Sequence, residues 1–367
     1  MSETSGDPVH NQSVRPVRIG LIGCGGIVRG THAPAYETLG DVVQVAALAD
    51  PVDENRHTMG ERFAVPPAHR FADYRDLLAA GVVDAVVVAT PHHLHAQQVV
   101  DAATAGVAIV SEKPMATTLE EADTILAAVR KHGVHYAVVH NLLFSAAMKT
   151  ALAIRHSGEL GEIVFGRSQS LALKAPDFNT GRRDPGQIWR AQRSAGGGCA
   201  IDSSYHEIYA VEALVGSPVR YVEGRIQTRR FDIDVDDVAI MLFEHENGVT
   251  STVSSAWCVP ARNGGRWCEV HGSEGSVHVV HRDNDPIVRF HHGGRGWQPE
   301  ALHEPAVELS SGKLDSTGHR GYFEATFRAL AKGEAPPITG ENARHNLAII
   351  EGARKASQER RAVDLSA

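Results

Sequence analysis

Four cysteines in 367 residues, Cys24, Cys199, Cys258 and Cys268, are too few and too irregularly spaced for a disulfide scaffold, and no Cys-x-x-Cys pair occurs. No run of about 18 uncharged apolar residues is present, which argues against a membrane-spanning helix. The polar opening Met1 to Pro16 lacks the apolar core of a secretion signal and reads as a loose tail. Buried free thiols in a reducing cytoplasm are therefore expected. Basic charge is also in short supply. With 36 Lys and Arg against 44 Asp and Glu the net charge is −8, which argues against general nucleic-acid binding, although 21 histidines make the balance less negative in mild acid. No internal repeat or low-complexity block interrupts the chain.

What is there begins with Val17-Arg18-Ile19-Gly20-Leu21-Ile22, an apolar strand running into Gly23-Cys24-Gly25-Gly26-Ile27. Such a turn lets backbone N–H groups approach a pyrophosphate at a helix N-terminus, and a carboxylate ending the next strand accepts ribose hydroxyls. Asp50 ends the buried run Val42 to Ala49 and fills that place. It lies further on than the ~20 residues of the usual fingerprint, so the first helix and its loop exceed the minimum. The third small residue of the pattern is replaced by Val28, with Gly26 as partial compensation. Asp50 would repel a ribose 2′-phosphate, and no arginine follows immediately. The expected cofactor is NAD rather than NADP.

Strand and helix patterns then alternate: a short helix at 73–78, a strand at 82–90, a helix at 95–105 and a strand at 107–110 follow. Next comes a helix opened by a Thr118/Glu121 capping box and closed by Gly133, and a last strand at 134–139. Uniformly apolar strands of this kind predict a doubly wound parallel sheet covered on both faces. From about Leu142 the pattern changes to a helix at 146–155, strands at 162–173, 219–229, 238–244 and 249–256, a hairpin of 269–272 with 276–281, and a final helix at 341–359. Trp257-Cys258 and Trp267-Cys268 suggest a further hairpin turning near residues 263–265. The expected architecture is a tail (1–15), an α/β Rossmann domain binding NAD (16–141), and an α+β substrate-binding and oligomerisation domain with an open, mostly antiparallel sheet (142–367).

Ligands of an open α/β sheet lie beyond the carboxyl ends of its strands. Four segments converge there: the turn Gly23, Gly25, Gly26 and Ile27; Asp50; Thr90-Pro91 through His95; and Glu112-Lys113-Pro114. Lys113 can hold a substrate oxygen and stabilise its developing charge, or can instead be a surface lysine paired with Glu112. Three histidines at 92, 93 and 95 lack a nearby acidic or cysteine partner, so no metal is expected. His95 is expected to pack or hydrogen-bond near the cofactor, and His92 or His93 to border the substrate. Gly196-Gly197-Gly198 reads as a loop passing close to ligand before a helix, following Trp189-Arg190. On that helix Asp202 and His206, four apart, share a face. A neutral His206 can take the hydroxyl proton, with Asp202 orienting it or binding a neighbouring hydroxyl. The loop Gly181-Arg182-Arg183, with Arg190 and Arg193, reads as either a holder of substrate phosphate or carboxylate or a solvated or subunit-contact segment.

Together the Gly23 turn, Asp50, Ala89-Thr90-Pro91 through His95, Glu112-Lys113-Pro114, Gly196-Gly197-Gly198, Asp202 and His206 resemble the Gfo/Idh/MocA family over nearly the whole chain. The resemblance implies NAD(P)-dependent, reversible hydride transfer from a secondary hydroxyl of a sugar, cyclitol or glycoside. Lys113, Asp202 and His206 match the family's catalytic residues, and assembly as a dimer or tetramer through the open sheet is implied. It also admits an NAD-retaining glycosidase or lyase, and a non-catalytic NAD sensor is a third reading. Family chains often read Asp-x-Gly-x-His-x-x-Asp, where this chain has Ser204 and Tyr209 in the glycine and second-acid slots. Those changes bear on substrate shape, with His93, Trp189, Arg190 and Tyr205 as candidate substrate contacts.

Overall fold

A computed structural model describes residues 15–174, 189–261, 265–282, 285–292, 306–307 and 317–366. The Arg182/Arg183 loop and most of the expected tail lie outside them. Strands β1 (Val17–Ile22), β2 (Val43–Ala49), β3 (Arg70–Phe71), β4 (Ala85–Val88), β5 (Ala108–Ser111) and β6 (Tyr136–Val138) form one parallel sheet ordered β3-β2-β1-β4-β5-β6. The order reverses between β1 and β4, and beyond their carboxyl ends such a sheet opens a ligand crevice.

Helix ends follow local chemistry. Thr118 caps the helix Leu119–His132 by accepting from the Glu121 N–H, and Gly133 closes it in the left-handed conformation. The reciprocal half of the expected capping box is absent, because the Glu121 carboxylate accepts from the Thr117 N–H and hydroxyl instead.

The second sheet comprises β7 (Ile163–Leu171), β8 (Val219–Gln227), β9 (Val238–His245), β10 (Thr250–Ala256), β11 (Arg266–Gly272), β12 (Gly275–Arg282), β13 (Asp285–His292), β14 (Ala306–Val307) and β15 (Val363–Asp364). Its order is β14-β13-β12-β11-β7-β10-β9-β8-β15, antiparallel except for β7 with β10. The hairpin expected around residues 263–265 is therefore not formed, since β7 lies between β10 and β11 and pairs with both. Cys258 bridges to Leu173 and Cys268 pairs with Ser168, so the two cysteines sit on different neighbours. All four thiols are free and buried. No helix among the described residues is long and apolar enough to cross a membrane.

One face of the second sheet, carrying Gly166, Met241 and Phe243, is buried where the helix Ser204–Val215 packs against β7, β10 and β11. The other carries Phe165, Ile240 and Leu242, which are exposed at 38%, 54% and 42%. Successive strand residues point to opposite faces, so the alternation in β9 that fills the core also builds this outer apolar face.

Candidate active site

The glycine turn at the end of β1 is set by steric need. Gly23 has φ +91°, and a Cβ there would lie 2.7 Å from the Ala89 carbonyl oxygen at the end of β4. Gly25 and Gly26 differ: an added Cβ would meet nothing within 4 Å, so their backbone faces open space, as a phosphate cradle requires. Gly26 does not compensate for Val28 by close packing. Val28 is buried in the apolar core at the start of a five-residue π-helix, Val28–His32. Ile27 is exposed beside it.

Asp50 is tied to this turn. Its Oδ2 accepts the Cys24 N–H at 2.8 Å, and Oδ1 accepts from the Val52 N–H at 2.8 Å and Asn55 Nδ2 at 3.2 Å. The carboxylate thus holds the turn's backbone with three accepted hydrogen bonds, leaving about one acceptor site unused among the described residues. Burial and the Asp50 charge push the Cys24 thiol up to about 12, leaving it unreactive. Arg56, which the sequence reading passed over, donates to the Asp50 carbonyl.

The loops after β4 and β5 are joined by His95. Its ring is fully buried, with Nδ1 at 2.8 Å from the Pro114 carbonyl and Nε2 at 2.9 Å from that of Thr90. It therefore ties the two loops together through their backbone. Thr90 Oγ1 also donates to Gln98. His92 and His93 separate sharply. His93 is exposed, whereas His92 is buried, its Nδ1 donates to the Gly196 carbonyl at 2.9 Å, and its ring lies 4.3 Å from that of Trp189. Burial drives the His92 pKa well down, so the ring is neutral.

Glu112 turns away from the Lys113 side chain. Its Oε1 meets His32 Nε2 at 2.7 Å and its Oε2 accepts the Lys113 N–H at 3.2 Å. Burial opposes ionisation there, but the His32 bond holds the Glu112 pKa down at about 2. His32, Glu112 and His319 bring their ligating atoms within 4.8 Å of one another, a grouping behind Lys113 that the sequence reading did not find. The surface pairing of Lys113 with Glu112 is not formed. Lys113 Nζ instead crosses to the second half of the chain, donating to the Asp202 carbonyl at 2.8 Å and to its Oδ1 at 2.9 Å.

The stretch bearing Asp202 and His206 is not one continuous helix. It breaks at Ser203, between the turn Cys199–Asp202 and the helix Ser204–Val215. The glycines before it are required by protein contacts: a Cβ on Gly197 would lie 2.2 Å from the Arg190 carbonyl oxygen, and one on Gly198 2.5 Å from Asp236 Oδ1. Ser203 Oγ accepts from Trp257 Nε1 at 2.7 Å.

Asp202 pairs with Lys113, and His206 takes a different partner, the Tyr209 hydroxyl, 2.9 Å from its Nδ1. The same hydroxyl accepts the Leu142 N–H, and His140 stacks on the Tyr209 ring at 4.3 Å. Burial, then the charges of Lys113 and Arg266, hold the His206 pKa well below the histidine range, so the ring is a neutral acceptor. Against the cost of burial, Lys113, Lys174 and Arg190 keep the Asp202 carboxyl ionised, well below its usual range.

Tyr205 does not border this site. It is wholly buried, with its hydroxyl 3.1 Å from His140 Nε2. One residue from His206, it is turned about 100° around a 3.6-residue helix, toward the core. Trp189 and Arg190 do reach the site, Arg190 stacking on Trp189 with its Nε 3.6 Å from Asp202. Arg193 is drawn off to Asp234. Lys174, Tyr209 and Arg266 were not identified as site residues from sequence. Lys174 lies three residues beyond β7 with no motif around it.

The family model described as an oxidoreductase family with NAD-binding Rossmann fold matches residues 17–140, and the GFO/IDH/MocA C-terminal domain model matches residues 148–278. Levoglucosan dehydrogenase of Pseudarthrobacter phenanthrenivorans is 30% identical over 300 residues, 74% of this chain and 75% of that protein. D-apiose dehydrogenase of Paraburkholderia graminis is 27% identical, over 96% of this chain and 91% of that protein. Among solved structures, levoglucosan dehydrogenase in complex with NADH and levoglucosan superposes with a TM-score of 0.85 at 24% identity, covering 96% and 100% of the two chains, a likeness of fold.

Proposed function

Since the chain belongs to the Gfo/Idh/MocA oxidoreductase family and carries its NAD-binding domain, we propose that it oxidises a secondary hydroxyl of a sugar, cyclitol or glycoside to a ketone, reversibly. The observation that carries this reading is the meeting of Lys113 with Asp202, close enough to His206 for the Lys113 charge to depress it. NAD, held by the Gly23–Ile27 turn, Asp50 and the loops at Thr90-Pro91 and Glu112-Lys113, supplies the hydride acceptor. The open backbone at Gly25 and Gly26 fits that cofactor.

The residues divide the remaining work. The Lys113 ammonium faces the substrate oxygen and stabilises charge as its proton leaves. His206, donating Nδ1–H to the Tyr209 oxygen, presents a bare Nε2 to accept that proton. Asp202 holds Lys113 in place and keeps an oxygen for a neighbouring hydroxyl. Four buried free thiols suit a reducing cytoplasm.

Absorbance at the NADH band with a panel of cyclitols, sugars and glycosides tests the reading: at least one should reduce NAD. Release of a leaving group without net NADH would establish the glycosidase or lyase alternative instead, and nucleotide affinity without any turnover would leave only a sensor.

The outer face of the second sheet is assigned to a second copy of this chain, as a dimer or a tetramer. Aspartates at Ile240 and Leu242 together should convert the oligomer to monomers by light scattering. A wild-type protein that is already monomeric at micromolar concentration would remove this assignment.

A further inference from the structure

One carboxylate at the site answers three cations. Among the described residues the Asp202 carboxylate hydrogen-bonds to Lys113 alone; Lys174 Nζ and Arg190 Nε each stand 3.6 Å from its Oδ2, beyond good hydrogen-bond range. Each of those two is backed by an indole ring. Lys174 lies 4.8 Å from the Trp257 ring centroid and Arg190 4.3 Å from that of Trp189. An aromatic face orients a cation without neutralising it. Other acids nearby are committed: Glu207 takes Arg266 and Ser168, and Asp236 takes the Ala200 N–H. His92 and His206 are neutral. Among the described residues, after Asp202 is counted once, two positive charges face the place where the substrate must lie.

Both side chains keep a route to ligand, with 41% of Lys174 and 31% of Arg190 exposed. We propose that Lys174 and Arg190 form an anion subsite, and that the substrate is a sugar bearing an anionic group, a carboxylate or a phosphate ester, next to the hydroxyl held by Lys113. Arg190 presents a planar fork suited to two anionic oxygens, and Lys174 adds a point charge. Ion pairing with such a substrate also opposes the burial that lowers the Lys174 pKa, adding to the support from Asp202.

This inference rests on the sugar-oxidising reading above but is tested separately from it. The probes are D-glucuronate, D-glucose 6-phosphate and D-glucose, titrated into the enzyme–NADH complex and followed by nicotinamide fluorescence. An anionic probe should bind at least about tenfold more tightly than glucose, and added salt should erode the advantage. In the Arg190→Gln, Lys174→Gln double variant the ratio should collapse toward one. Preference for glucuronate assigns a carboxylate, and preference for the 6-phosphate assigns a phosphate ester. Equal affinities in the wild type, or a ratio unchanged in a folded double variant, would overturn the subsite. If neutral polyols are oxidised but anions gain nothing, only the subsite fails. If anions bind selectively and no sugar is oxidised, the catalytic reading fails instead.

Discussion

Lys113→Ala should lower turnover of an accepted substrate by about 10² to 10³-fold, the usual cost of removing one group that stabilises a developing oxyanion. His206→Ala should cost about 10² to 10⁴-fold, as for a lost general base. Both are read as kcat from NADH absorbance, with NADH fluorescence titration confirming that the variants still bind cofactor. Loss of Lys113 leaves Asp202 with Lys174 and Arg190 as counter-charges, so the fold should persist. Wild-type turnover in both variants would end this assignment of roles. The depressed His206 pKa adds a sign: oxidation needs the neutral ring, so kcat/KM should stay flat as pH falls through 6.5 and drop only well below it.

Stability should fall steeply in acid. His92, His140, His206 and His319 are all held below the ordinary histidine value, His140 and His319 at about 3, with burial the leading cause in each. Unfolding frees them to bind protons near pH 6.5. Their contribution is complete above that pH and is lost progressively as pH drops toward the folded values. For His140 and His319 the loss is about 2 kcal/mol each by pH 5, at ~1.4 kcal/mol per unit. His345, raised by its bond to Glu212, works in the opposite direction, but His95, His245 and His278 are lowered as well, so it is one group against seven. Urea unfolding from pH 7.5 to 5 reads this slope, and His140→Gln should flatten it by about one proton. A midpoint independent of pH over that range would contradict buried neutral rings.

Much of this was readable from local pattern. Gly23 declares itself because only glycine tolerates its φ beside the Ala89 carbonyl, and Thr118 and Gly133 because caps act within a turn. Lys113 stood out as a lysine where a buried strand ends. The choice between His92 and His93 was not readable, since both occupy the same short turn and only the approach of Gly196 and Trp189 separates them. The departure at residue 209 was visible, but its consequence was not: a phenol replaces an acid and becomes the partner of His206, held there by the Leu142 N–H.

The sequence by itself determined the parallel sheet and the glycine turn with Asp50, and it singled out Lys113, Asp202 and His206 as candidates. These depend on hydrophobic period, backbone sterics and residue type, all local to a few positions. Tertiary structure decided who faces whom. Asp202 meets a lysine from the other half of the chain while His206 meets Tyr209, and insertion of β7 between β10 and β11 undoes a hairpin that adjacency favoured. Those outcomes come from packing between segments remote in sequence, where the lowest free energy depends on partners that no local pattern names.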